Sequence, residues 1–167
     1  GVPMSLPWSV RFLNEFMEVV GVQRAHLVGH SLGGMVALSL ALSLPERVLR
    51  LALIDSLGLG EVNRKARLSL YLIRGARKLI TKERTPRLAY TPRKDRLFLS
   101  RLPSLIPRTM LIWGQRDRYL PPSQAELAHA LIPDSELHVF PDCGHAPQRE
   151  RPKEFNRLIC QFFSSPD

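Results

Sequence analysis

Gly29-His30-Ser31-Leu32-Gly33-Gly34 lies between a short apolar run, residues 25–29, and a Leu- and Ala-rich stretch, residues 32–43, that stops before Pro45. The run reads as a buried strand and the stretch as a helix. A serine on so sharp a strand-to-helix turn adopts a strained backbone. Its neighbours two residues away on either side, Gly29 and Gly33, must then lack side chains. The helix start also presents unpaired backbone N–H groups and the positive end of a dipole. Ser31 is therefore a candidate nucleophile, and the N–H of Leu32 is the first candidate oxyanion donor. A G-x-S-x-G run by itself is common and also describes a turn that merely packs tightly.

Outward from this turn, strands and helices alternate. Residues 8–20 form an amphipathic helix pattern with Phe12, Phe16, Val19 and Val20 at helical spacing and Ser9 as the expected cap. Residues 48–54 read as a second buried strand, 109–114 as a third and 136–140 as a fourth. Helices are expected at 122–132 and 152–163, the latter with Phe155, Leu158, Ile159 and Phe162 on one side. Strands alternating with helices imply an α/β fold. The expected architecture is a parallel sheet of about four strands flanked by helices. Residues 57–108 interrupt the alternation, with a helical pattern at 62–80 and one short helix expected near 95–101 in a Pro-broken stretch. They read as a basic helical cap inserted into a core made of 1–56 and 109–167.

The chain has 167 residues, 44% hydrophobic and 23% charged, which is a globular composition and enough for a real core. Two cysteines, Cys143 and Cys160, cannot build a disulfide framework, and neither has zinc-ligand spacing nearby. No apolar run is long enough to span a bilayer, and Gly1-Val2-Pro3 lacks the pattern of a signal peptide. A cytoplasmic location is expected on those grounds. The net charge of +9 is local. Residues 61–110 hold fourteen Lys and Arg against three Asp and Glu, and the remainder holds ten against twelve. The basicity thus belongs to the cap, whose face Arg64, Arg67, Arg74 and Lys78 invites weak contact with an anionic membrane. Stacking aromatics are sparse there, so no nucleic-acid partner is expected.

Two loops match the turn at Ser31. Trp113-Gly114-Gln115-Arg116-Asp117 follows the third strand, and Asp142-Cys143-Gly144-His145 follows the fourth. Each places a polar group at a strand's C-terminal end, the same sheet edge as Ser31. Serine is a poor nucleophile until a base takes its proton. His145 can do so near neutral pH, and a carboxylate can hold its tautomer. Asp117 is favoured for that role. Asp55, at the end of the second strand, is the alternative acid. Asp117 could instead cap a turn, and His145 could be an ordinary loop residue. His30 reads as a packing residue of the turn and His26 as a satisfied core histidine.

Residues 25–34, 51–60, 111–121 and 143–155 together resemble a lid-bearing α/β-hydrolase of the esterase, lipase and C–C-bond-hydrolase type. Each stretch is loose alone; their order and spacing are specific. The resemblance implies Ser31 as nucleophile, His145 as base, Asp117 as acid and a small or medium ester as substrate, with no metal or organic cofactor. It also implies upstream strands and a His-Gly loop carrying a second oxyanion donor, which these 167 residues do not contain. The expectations that follow are a truncated sheet, a fragment or a non-catalytic remnant, and self-association through the exposed edge of the Ser31 strand.

Overall fold

The computed structural model describes residues 5–63 and 98–166. The first helix, α1, spans Leu6–Val19. Its cap lies four residues earlier than the expected Ser9: Ser5 is the cap, its Oγ accepting from the Trp8 N–H at 3.4 Å, with Pro7 in the first turn. Strand β1 covers Ala25–His30, α2 Leu32–Ser43, and β2 Val48–Ile54. After the segment read as the cap come β3 at Arg108–Gly114, α3 at Ser123–Leu131, β4 at Ser135–Phe140, the short α4 at Pro147–Glu150 and α5 at Pro152–Ser164.

The four strands form one parallel sheet in the order β1-β2-β3-β4. The side-chain period of two divides the strands between two cores. Leu51, Leu53, Leu111 and Trp113 join Met35, Leu38, Ala125 and Ala128 beneath α2 and α3. Ile54, Met110 and Ile112 face the other way, onto Phe155 and Phe162 of α5. That stripe on α5 is the one its sequence pattern implied. Burying a Leu, Ile or Phe this completely contributes roughly 1.5–3 kcal/mol each, so β2 and β3 anchor the sheet. Arg50, buried within β2, reaches the end of α5: it donates to the Phe162 and Ser165 carbonyls and to Ser165 Oγ at 3.1 Å. A cation there answers the unpaired carbonyls of the helix C-terminus.

Strand β1 lies at one edge of the sheet, and it is less buried than its apolar run suggests. Val28 is 51% exposed, and Phe12, Phe16 and Val19 of α1 are exposed too. His26 is not a core residue; it is exposed on this edge, with its ring tilted 4.7 Å from that of Phe163. The cap helix pattern at 62–80, with its basic face, lies outside the described residues apart from its first two positions. Of the flanks of the cap segment, Leu59, Phe98, Leu102 and Leu105 pack into the larger core. A 3₁₀ turn at Leu99–Ser104 stands close to where a short helix is expected. Among the described residues no helix is long and apolar enough to cross a membrane.

Candidate active site

The C-terminal ends of β1, β3 and β4 bring three distant side chains together. Ser31 sits between β1 and α2 at φ 54° and ψ −115°, a conformation that side chains rarely adopt. Backbone bonds hold it there: its N–H donates to the Ile54 carbonyl at 2.9 Å, and its carbonyl accepts from Leu57 at 3.0 Å. The close approach of α2 explains the glycines unequally. A Cβ on Gly29 would lie 2.6 Å from the Gly33 carbonyl oxygen, so Gly29 is required sterically. A Cβ on Gly33 would meet nothing within 4 Å, whereas one on Gly34 would press on Ser56. The tight contacts thus fall on Gly29 and Gly34.

Ser31 Oγ lies 3.1 Å from His145 Nε2, and His145 Nδ1 lies 2.7 Å from Asp117 Oδ2. An ionised carboxylate only accepts, so Nδ1 carries the hydrogen and Nε2 turns its lone pair to the serine hydroxyl. Asp117 Oδ1 is occupied by the N–H groups of Tyr119 at 2.7 Å and Leu120 at 3.1 Å. Burial pushes the Asp117 carboxyl up, but the hydrogen bond from His145 and those two N–H groups outweigh it and hold it below the usual carboxylate range. His145 is the complement. Burial pulls its imidazole down, yet the hydrogen bond and charge of Asp117 win, and its pKa is raised. Leu32, the first residue of α2, stands in the turn whose N–H groups have no intrahelical partner.

Three further contacts shape the site. The Nε2–H of His30 donates to the backbone carbonyl of His145 at 2.6 Å. Burial lowers the His30 pKa, which favours the neutral ring. The two residues are 115 positions apart, so nothing local in the sequence announces this contact. Glu150 accepts from the N–H of Gly144 at 2.9 Å and of Ala146 at 3.3 Å, clasping the loop that presents His145. The Tyr119 ring tilts against the His145 ring at 5.1 Å. Asp55 is fully buried at the same edge but pairs elsewhere, accepting from the Gly114 N–H at 3.0 Å. His30, Asp55 and His145 each bring one ligand-type atom within 4.8 Å of the others. Both ring nitrogens of His145 already face Ser31 and Asp117, so an ion held there would draw His145 away from them.

Gly114 carries a requirement that its motif alone does not announce. A Cβ there would sit 2.6 Å from the Cys143 carbonyl oxygen and 2.8 Å from the Gly144 carbonyl carbon. Gly114→Ala must therefore push the His145 loop outward. The expected loss is about 3 kcal/mol of stability, read from urea midpoints. Displacing the imidazole by even about 1 Å lowers turnover by about 100-fold.

The sequence profile of the alpha/beta hydrolase family matches residues 3–158. The chain belongs to the alpha/beta hydrolase family. Among relatives of this hydrolase is the 2-hydroxy-6-oxononadienedioate/2-hydroxy-6-oxononatrienedioate hydrolase of Comamonas testosteroni, 30% identical over 94% of this chain and 68% of the relative. The 2-hydroxy-6-oxo-6-phenylhexa-2,4-dienoate hydrolase of Burkholderia cepacia is 29% identical with the same coverage. An alpha/beta hydrolase structure from the metagenome of Mar Chica lagoon sediments superposes with a TM-score of 0.77 at 32% identity, covering 97% of this chain and 71% of that one. The hydrolase described here thus spans about two thirds of the length of its relatives.

Proposed function

We propose that this chain carries the acyl-transfer centre of a serine hydrolase that cleaves a small or medium ester. One observation carries the reading: the unbroken run from Ser31 Oγ to His145 to Asp117, at 3.1 and 2.7 Å, on a strained turn at a helix start. His145 Nε2 takes the Ser31 proton as Oγ attacks the carbonyl carbon. The Leu32 N–H stands at the helix start to stabilise the negative oxygen. His145 then returns the proton to the leaving alkoxide, and the acyl group remains on Ser31. Water, deprotonated by His145, releases the acid. Asp117 keeps the imidazole in the right tautomer and balances the imidazolium charge. Residues 57–108 are proposed as the cap over this edge.

The Comamonas and Burkholderia relatives favour a second reading of the same centre. There the acyl group leaves carbon instead of oxygen, and the dienoates in the names of those hydrolases are the substrates to try. Assay of p-nitrophenyl esters beside a 2-hydroxy-6-oxo-dienoate, each with a Ser31→Ala control, separates the two. Faster turnover of the ester supports the first reading, and faster loss of the dienoate supports the second. Equal rates for wild type and Ser31→Ala on both substrates remove the serine mechanism. A fluorophosphonate probe adds an independent readout, with labelling at Ser31 in wild type expected.

A further inference from the structure

The strained backbone positions other than glycine, among the described residues, are Ser31 and Asp55, at φ 54° and 39°. They end adjacent strands. Asp55 has no exposed surface. Its Oδ1 accepts from the Gly114 N–H at 3.0 Å, while Oδ2 is buried and receives no hydrogen bond. Leaving a buried charged oxygen unpaired is costly. The groups around it are His30 at the end of β1, Asp117 after β3, and Cys143 and His145 after β4. Asp117 offers only oxygen, and two carboxyls can meet only with a proton between them. Burial, with the charge of Asp117, pushes the Asp55 carboxyl up to about 8, so at neutral pH the proton resides on Asp55.

We infer that Asp55 is a positioning residue: its buried carboxyl backs Asp117 through a shared proton and becomes the acid partner of His145 when Asp117 is removed. This inference rests on the serine-hydrolase reading above. An Asp55 oxygen already lies within 4.8 Å of a His145 ring nitrogen. Truncating Asp117 vacates the place of its carboxylate and removes its charge, so that burial alone raises the Asp55 carboxyl while the charge of His145 lowers it. Asp55 then releases its proton to solvent and accepts the His145 Nδ1–H bond. It balances the imidazolium when His145 takes the Ser31 proton.

The test is a double-mutant cycle read as kcat/KM on the better of the two substrates above. Asp117→Ala is expected to lose about 10³-fold, short of the roughly 3 × 10⁴-fold that removal of a triad acid can cost. Adding Asp55→Asn is expected to cost a further ~30-fold there, against about threefold in the wild-type background. The amide that Asp55→Asn introduces keeps an acceptor for the Gly114 N–H, so a purely structural role would make the cost equal in both backgrounds. Equal costs overturn the inference. If Asp117→Ala does not fold, Asp117→Ser serves as the background, because its hydroxyl can still accept one loop N–H. Fluorophosphonate labelling at Ser31 in wild type is run alongside. Absence of labelling brings down the serine-hydrolase reading and the inference with it, whereas labelling with equal costs brings down the inference alone.

Discussion

Ser31→Ala is expected to lower hydrolysis by roughly 10⁵–10⁶-fold while leaving the fold intact. The size follows from the relay acting as a unit: without Oγ, His145 has no hydroxyl to deprotonate, and water must attack directly. What remains comes from whatever holds and polarises the carbonyl. The fold survives because the one side-chain bond lost is Oγ to His145 Nε2 at 3.1 Å. The backbone bonds to Ile54 and Leu57 do not involve the side chain. Alanine keeps the strain at φ 54°, since the strain comes from Cβ. Ser31→Gly removes it. That variant is expected to be equally inactive yet more stable by about 1 kcal/mol, the strain released less the entropy that glycine adds to the unfolded chain. Urea midpoints for the two variants measure the difference. If Ser31→Gly is no more stable than Ser31→Ala, the turn is not strained.

The strand order and the turn at Ser31 were legible because both depend on local pattern. Apolar runs bounded by Gly and Pro mark β2 and β3, and a glycine two residues before a serine marks a close backbone approach. The exposure of β1 depends on what lies beside it, which an apolar run does not encode. The start of α1 moved from Ser9 to Ser5 because capping requires extended backbone before the helix, and Pro7 permits helix only in its first turn. Site residues were legible as candidates but not as pairs. Asp55 and Asp117 both follow strands at one edge, and spacing alone could not say which faces His145. The turn after β3 decides it, by directing Tyr119 and Leu120 N–H groups onto Asp117 Oδ1 and leaving Oδ2 for the imidazole. His30 and Glu150 act on the His145 loop through backbone atoms, which carry no residue-type signal.

That same turn predicts the outcome of Asp117→Asn. The N–H groups of Tyr119 and Leu120 demand an acceptor, so the amide oxygen takes the place of Oδ1. The amide NH₂ must then stand where Oδ2 was, 2.7 Å from His145 Nδ1. Two donors cannot share that space, so the imidazole moves its hydrogen to Nε2 and presents an N–H to Ser31 instead of a lone pair. Activity is expected to fall about 10⁴-fold, with stability little changed. The pH profile supplies a second signature. The working base is neutral, so activity is lost as pH falls through the His145 pKa. In the wild type, that acid limb lies above an ordinary histidine's because the Asp117 bond and charge overcome burial. In Asp117→Asn the pull is gone and the burial stays, so the limb of the residual activity moves to lower pH. Retention within about tenfold of wild type, or an unmoved limb, would refute the tautomer argument. Asp117→Ala, which leaves space for Asp55 and puts no competing donor against Nδ1, is expected to be the more active of the two variants. A void is then less damaging than an amide of the right shape, because the chemistry needs an acceptor at that point.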